Sequence, residues 1–387
     1  MATISKAPHS AMPHQRHADW LELFFDLVFV ALAAQLAHSL HGDPSLRDFA
    51  IMLALYFPPW WMWINFTVSA NLFEDDGARR RLVLLSAMAC LAVMAAAIPD
   101  VAGERGPLYA LGYAGTRFVL LGLWWPATRL SAPVRVPKWR PLSYCLVSGV
   151  LWVVSAFTPE PWRYGLWALL IVAEVLLLIS VRGLPGQLHK KHLVERVGLF
   201  VIIVLGESVL TLITSTDHAW SARAGLTALL GFVLLAALWW SYFDAGVALA
   251  EQTLDAAQER QAFLLVRDTA GFLHFFVTAS VICIAGGLAT TVHEAGHDHL
   301  PDGAIIALAG GLAMYYCTLA CIALRYRGPA RRVVMWAVPS VGIPVLVLLF
   351  AQYLSPWLVV LILAAEAIVH VLYAKARARQ RPAAGMP

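Results

Sequence analysis

Charge is what this chain of 387 residues has least of: 13% is Asp, Glu, Lys or Arg, against about 25% in soluble proteins. With 60% hydrophobic residues and a mean hydropathy of +0.69, that scarcity excludes a water-soluble globular domain. Cysteine is scarce too. The five present, Cys90, Cys145, Cys283, Cys317 and Cys321, all fall in apolar stretches, so neither a disulfide framework nor a closed cysteine metal site is expected. No G-x-S-x-G elbow, P-loop or dinucleotide fingerprint occurs, so no enzyme is expected and no cofactor is called for. The base excess is small, 28 Lys and Arg over 24 Asp and Glu, net +4. It sits in loops and points to anionic lipid as the partner, not to nucleic acid. Oligomeric state has no signature in the sequence.

What the chain has in quantity is long apolar runs. Lipid offers backbone groups no partner, so spanning segments must be helices or a closed barrel, and unbroken runs choose helices. The expected fold class is all-α: a polytopic membrane helical bundle of about twelve transmembrane helices in two similar halves of six. Breaks at charge clusters, Pro and Gly place the segments at 20–40, 46–72, 80–98, 107–127, 141–157, 162–181, 193–214, 222–250, 263–289, 303–325, 332–353 and 355–375. Alternating the connections between two sides puts 22 Lys and Arg on the side of the N-terminus and only Arg47, Arg105, Arg163 and Arg223 on the other. By the positive-inside rule both termini are then cytoplasmic. The layout is a polar tail (1–19), a first repeat (20–181), a cytoplasmic linker (182–192), a second repeat (193–375) and a basic tail (376–387). The first run contains Glu22 and Asp26, which a cleavable signal core would not tolerate, so it is expected to stay as a helix.

A weak internal match supports the halves. Glu22 opens the first segment and Glu195 the seventh. Trp60-Trp61-Met62-Trp63-Ile64-Asn65 in the second answers Trp239-Trp240-Ser241-Tyr242-Phe243-Asp244 in the eighth. Pro161-Trp162 followed by Glu174 answers Pro356-Trp357 followed by Glu366, three residues out of register. Both halves share one orientation, a parallel repeat about the membrane normal. Most of the fifteen tryptophans fall near segment ends and read as interfacial anchors.

An ionisable group near the bilayer centre costs about 2.5–3.5 kcal/mol on insertion scales, so each one is informative. Glu22 and Asp26, at i and i+4, project from one helix face. Glu207 lies twelve residues beyond Glu195, about 18 Å along a helix, near the midplane; Ser208 adjoins it, and Gly198 and Gly206 permit close packing. Glu174, Glu366, Asp244 and His274 lie inside other segments. Countercations are few: Arg117, Arg196 and Arg267, with histidines such as His192. Acids outnumber fixed cations, so a proton relay or cation path is expected, with a structural polar network as the competing reading. The functional centre is expected where the first and seventh segments meet, with Asp26 and Glu207 at its heart: Arg196, which points about 100° from Glu195 on a helix, should seek Glu22 or Asp26, and Glu207 should be the group that exchanges a proton.

His293-Glu294-Ala295-Gly296-His297 is an H-E-x-x-H string, which on a helix can bind zinc. It lies in a connection of about a dozen residues, and Gly296 weakens the helix the geometry needs. His293, Glu294 and His297 are therefore expected to be a solvated loop, with no metal site.

Two strings carry a resemblance. Leu21-Glu22-Leu23-Phe24-Phe25-Asp26-Leu27-Val28-Phe29-Val30, together with the stretch from His192, Glu195 and Arg196 to Gly206-Glu207-Ser208, resembles the bacterial low temperature requirement protein A family over nearly the whole chain. The resemblance implies a multi-pass bacterial inner-membrane protein linked by name to growth in the cold, and it carries over Glu22, Asp26, His192, Glu195, Arg196, Glu207 and Ser208. Phe25-Asp26-Leu27-Val28-Phe29 is also weakly similar to the first-helix F-S-D motif of a potassium-channel family, without its Ser or preceding Arg. The expected function is a proton-coupled secondary transporter of an unknown small solute or cation; the alternatives are a channel-like protein and a non-transporting membrane stress or assembly factor.

Overall fold

Every apolar run is helical in the computed structural model, which describes residues 20–72, 77–129, 137–139, 142–180 and 189–379, and no strand occurs among the described residues. Nine helices there are long and apolar enough to cross a bilayer: α1 (Trp20–His38), α2 (Leu46–Leu72), α3 (Ala78–Asp100), α7 (Lys190–His218), α8 (Ala222–Asp255), α9 (Arg260–His293), α10 (Asp302–Arg325), α11 (Ala330–Tyr353) and α12 (Pro356–Arg377). The remaining three expected segments are helices as well: α4 (Gly106–Trp124), the shorter α5 (Leu142–Ala156) and α6 (Trp162–Ser180). The all-helical membrane bundle thus holds, with nine rather than twelve helices that meet the requirements of a span. The expected tail at 1–19 and most of the linker lie outside the described residues. Helix α7 begins at Lys190, three residues before the expected start, and the last helix continues to Arg379 where a basic tail was expected.

Helix neighbours recur. α1 packs on α3, α3 on α4, α4 on α5, α5 on α6 and α2 on α6, while α7 packs on α9, α9 on α10, α10 on α11, α11 on α12 and α8 on α12. Helix α9 is the most enclosed of the nine, 83% buried. Its Gly286-Gly287 pair explains how neighbours come so close: a Cβ on Gly286 would stand 2.8 Å from the Ala37 carbonyl oxygen, and one on Gly287 would stand 2.6 Å from the Leu308 nitrogen. No other residue leaves room for backbone there.

Prolines inside α2 raise the question of where freed carbonyls find a donor. Pro59 has no N–H to offer Leu55, and the Tyr109 hydroxyl of α4 donates to the Leu55 oxygen at 2.5 Å instead. The substitution of a side-chain donor keeps α2 continuous in lipid. Helix α1 is interrupted at Leu27, whose N–H bonds to Phe24 three residues back, immediately beyond Asp26.

The tryptophans divide more evenly than expected. Trp20, Trp162 and Trp220 are exposed, as interfacial anchors are, but Trp60, Trp61, Trp63 and Trp152 are buried. Trp60, Trp63 and Phe200 form one aromatic cluster between α2 and α7.

Candidate functional site

Two i,i+4 pairs face each other across α1 and α7: Glu22 with Asp26, and His192 with Arg196. Repeating every four residues keeps each pair on one helix face, and α2 and α3 close the sides. Arg196 forks onto Asp26, Nη1 to Oδ2 and Nη2 to Oδ1, each at 2.8 Å, the bidentate geometry that suits a guanidinium. The indole Nε1 of Trp63 donates to Asp26 Oδ1 at 2.8 Å. Asp26, 0% exposed, therefore receives three hydrogen bonds. Glu22 accepts from Arg80 of α3 on Oε1 and meets His192 Nε2 on Oε2 at 3.0 Å, while Arg196 Nε lies 3.8 Å from the same oxygen.

The protonation of His192 follows from its other neighbour. The His189 N–H donates to Asn71 Oδ1 at 3.0 Å, which orients the Asn71 amide so that its Nδ2 donates to His192 Nδ1 at 3.2 Å. Nδ1 is then an acceptor and Nε2 carries the proton toward Glu22. Two carboxylates and two guanidinium groups cancel, so this network is neutral without taking up a proton.

Arg80 is the residue the sequence reading missed, because Arg79-Arg80-Arg81 resembles an ordinary cytoplasmic cluster. Helix α3 already begins at Ala78. Three successive residues then point about 100° apart, so the three do not share one face, and Arg80 is the one turned into the bundle. With Arg80 counted, the expected excess of acids over cations does not apply at this network.

Glu207 is elsewhere. Eleven residues, about 16 Å of helix, separate it from Arg196, so it shares no contact network with Asp26, contrary to the expected meeting of the two. It is 5% exposed; Thr211 on its own helix donates to Oε1 at 2.9 Å, and Oε2 has no hydrogen-bond partner among the described residues. Ser208 bonds back to the Val204 carbonyl rather than to Glu207. Gly198 faces Phe243, but Gly206 faces open space, so only the first marks a close helix contact.

The other expected residues scatter. Glu195 is half-buried beside the network. Glu174 of α6 is paired with the fully buried Arg117 of α4, with Tyr113 at 2.7 Å and Ser148 at 2.8 Å completing its shell. Glu366 of α12 is buried next to Tyr316 and Ser340. Asp244 is exposed, not turned into the bundle, and accepts from Trp240 at 2.5 Å. A π-helical turn over Tyr242–Val247 shifts the face that the helical pattern assigns to it.

His274 follows a second π-helical turn, Arg267–Leu273. Its Nδ1 bonds the Thr269 carbonyl and its Nε2 meets the Tyr242 hydroxyl, both at 2.8 Å; a carbonyl can only accept, so Nδ1 carries the proton and Nε2 accepts. These groups, with Tyr326, form the polar wall of an otherwise apolar cavity of about 50 Å³ between α7, α8, α9 and α10, room for a few waters. Asp268 on the same turn pairs with Arg267 and with Arg325 of α10.

The H-E-x-x-H string does not lie on a helix. α9 ends at His293, and His297 Nδ1 bonds Glu294 Oε2 at 2.8 Å in a turn where His297 is 70% exposed. Among the described residues no three His, Cys, Asp or Glu side chains are grouped to hold a metal ion.

Residues 17–368 match the family model described as bacterial low temperature requirement A protein (LtrA). An uncharacterized protein of Rhizobium meliloti (strain 1021) is 29% identical over 286 residues, covering 70% of this chain and 69% of that protein. The matched segment contains every helix from α1 to α11 and most of α12, including the α1–α7 network and Glu207. A match of that extent shows the family: the chain belongs to the bacterial low temperature requirement A proteins, LtrA.

Proposed function

We propose that this integral membrane protein is a proton-coupled secondary transporter of a small solute, with twelve spans and both termini cytoplasmic in a bacterial inner membrane. The observation that carries the reading is Glu207. It is an acid deep in α7 whose hydrogen bond comes from its own helix and whose second oxygen has no partner among the described residues, whereas Glu22, Asp26 and Glu174 are each held by an arginine. A paired acid gains nothing by taking a proton; an uncompensated one in low dielectric does. The buried polar groups are read as ion-exchanging rather than catalytic.

The test is solute flux in proteoliposomes with and without a pH gradient, on solutes chosen by comparing uptake in knockout and wild-type cells. Glu207→Gln keeps shape and hydrogen bonding and removes the charge. The reading expects gradient-driven flux that this variant loses at normal expression. Flux that ignores the gradient would favour a channel, and no flux of any solute or ion would favour a structural or stress role.

A further inference from the structure

The fourth, fifth and sixth helices of each half build similar pockets around a buried glutamate, and they differ in the group that lies beside it. In the first half, Glu174 of α6 takes hydrogen bonds from Tyr113 of α4 and Ser148 of α5. The Arg117 guanidinium fills the remaining space, paired with Glu174 and stacked 4.7 Å from the ring centroid of Tyr144, the residue four before Ser148. In the second half, Glu366 of α12 lies beside the hydroxyls of Tyr316 of α10 and Ser340 of α11. The guanidinium has no counterpart there: four residues beyond Tyr113 is Arg117, but four beyond Tyr316 is Ala320.

A histidine occupies that space. His370, one turn after Glu366, packs its ring 5.1 Å from Trp336, the residue four before Ser340, and 4.8 Å from Tyr316. Its Nδ1 is 3.0 Å from Ser340 Oγ. The position four beyond Glu174 is Leu178. Glu366 is 6% exposed, and among the described residues its Oε2 and the Tyr316 hydroxyl both lack a well-formed hydrogen bond. It lies ten residues into α12, about 15 Å, close to the midplane.

From this comparison we propose that Glu366 and His370 form a proton-binding site, the titratable copy of a pocket that Arg117 holds permanently neutral in the first half. With one proton aboard, on the Glu366 carboxyl or on the His370 imidazole one turn away, the second pocket is neutral like the first. Without it, the pocket carries one uncompensated negative charge in low dielectric. The step is the binding of a single proton from water and its return; no heavy-atom bond changes. Release therefore requires that water, or a cation carried with it, reach the pocket, which is how a proton site couples to a change of access.

The groups around it leave the pair to itself. On α12, Lys375 is nine residues beyond Glu366 and lies over the Trp240 ring at 3.4 Å. From α8, Asp244 is bonded to Trp240; from α9, Asp268 is held by Arg267 and Arg325, and His274 by Tyr242 and Thr269. Helix α11 presents Ser340, and α10 presents Tyr316.

The inference deepens the proton-coupled reading, but its test needs no substrate. Infrared difference spectra of the full chain in lipid nanodiscs, recorded across a pH series, follow the C=O band of a protonated buried carboxyl. The expected result is a titrating band that loses a component in Glu366→Gln, keeps it in Glu174→Gln, and moves its midpoint in His370→Gln. Ala320→Arg, which places a guanidinium where Arg117 stands in the first half, should abolish that component in a protein that remains monodisperse. A titration unchanged in both Glu366→Gln and Ala320→Arg would overturn the proposal, as would a component that Glu174→Gln removes or that responds to sodium ion and not to pH. If Glu366→Gln does not fold, Ala320→Arg and His370→Gln decide. Titration without flux would end the transporter reading and leave this site standing; flux without titration would do the reverse.

Discussion

Removing Arg196 is the sharpest perturbation of the α1–α7 network, because the two sides of its bond to Asp26 are not equivalent. Arg196→Met deletes two charge-assisted hydrogen bonds of 2.8 Å and leaves Asp26, 0% exposed, with Trp63 as its donor. Stranding a buried charge in this way costs about 3–5 kcal/mol. Asp26→Asn is milder, since the amide oxygen still accepts from Trp63 and the Arg196 charge still has Glu22 at 3.8 Å; about 1–3 kcal/mol is expected. In Asp26→Asn/Arg196→Met the stranded charge is gone, so the double variant should be more stable than Arg196→Met alone. The assay is reversible unfolding in mixed micelles with a denaturing detergent, read by tryptophan fluorescence, as a double-mutant cycle. An Arg196→Met cost no larger than that of Asp26→Asn, or a coupling energy below about 0.5 kcal/mol, would refute the argument that this pair is a desolvated, mutually dependent unit.

Three further outcomes follow from the packing. Tyr109→Phe leaves the Leu55 carbonyl, freed by Pro59, without its donor and should cost about 1–3 kcal/mol in the same unfolding assay, whereas Tyr353→Phe at an exposed position should cost nothing measurable. Gly287→Ala puts a Cβ 2.6 Å from the Leu308 backbone, so α9 and α10 must separate; a loss of about 1–3 kcal/mol is expected, and stability equal to wild type would mean the interface is looser than described. Replacing His293, Glu294 and His297 together by Ala should leave folding, any flux and cold growth unchanged, because these residues sit at the last residue of α9 and in the turn that follows it; lost activity alongside a stoichiometric zinc in the wild-type protein would show that the loop is a metal site.

Some of this arrangement was legible in the chain. Glu22 with Asp26 and His192 with Arg196 are spaced to share faces, and the misdirection of Glu195 and Arg196 foretold that the arginine must seek a partner on another helix; the structure places it on Asp26. Other features were hidden because they depend on helix phase, which composition does not carry. Trp63 and Asp244 belong to matching strings, yet a π-helical turn sends Asp244 to the exterior while Trp63 points at Asp26. Arg80 hides in a run of three arginines until the start of α3 is known. Asp26 and Glu207 belong to the two strings that carry the family resemblance, but eleven residues of α7 separate Glu207 from Arg196, the partner of Asp26, and put the two acids in different environments.

That the chain is a helical membrane bundle follows from residue order alone, because backbone in lipid must satisfy its own hydrogen bonds and the apolar runs are long enough to do so as helices. So does the identity of the groups that are expensive in that medium, since the cost of burying a charge is a property of residue type. Which of those groups are compensated depends on how the helices dock. Compensation is a matter of a few ångströms between helices far apart in the chain: Asp26 and Arg196 are separated by 170 residues, and Arg117 neutralises Glu174 while the corresponding space beside Glu366 holds a histidine. The apolar pattern that drives the helices together is indifferent to such pairings; the angle and depth at which each helix docks select them.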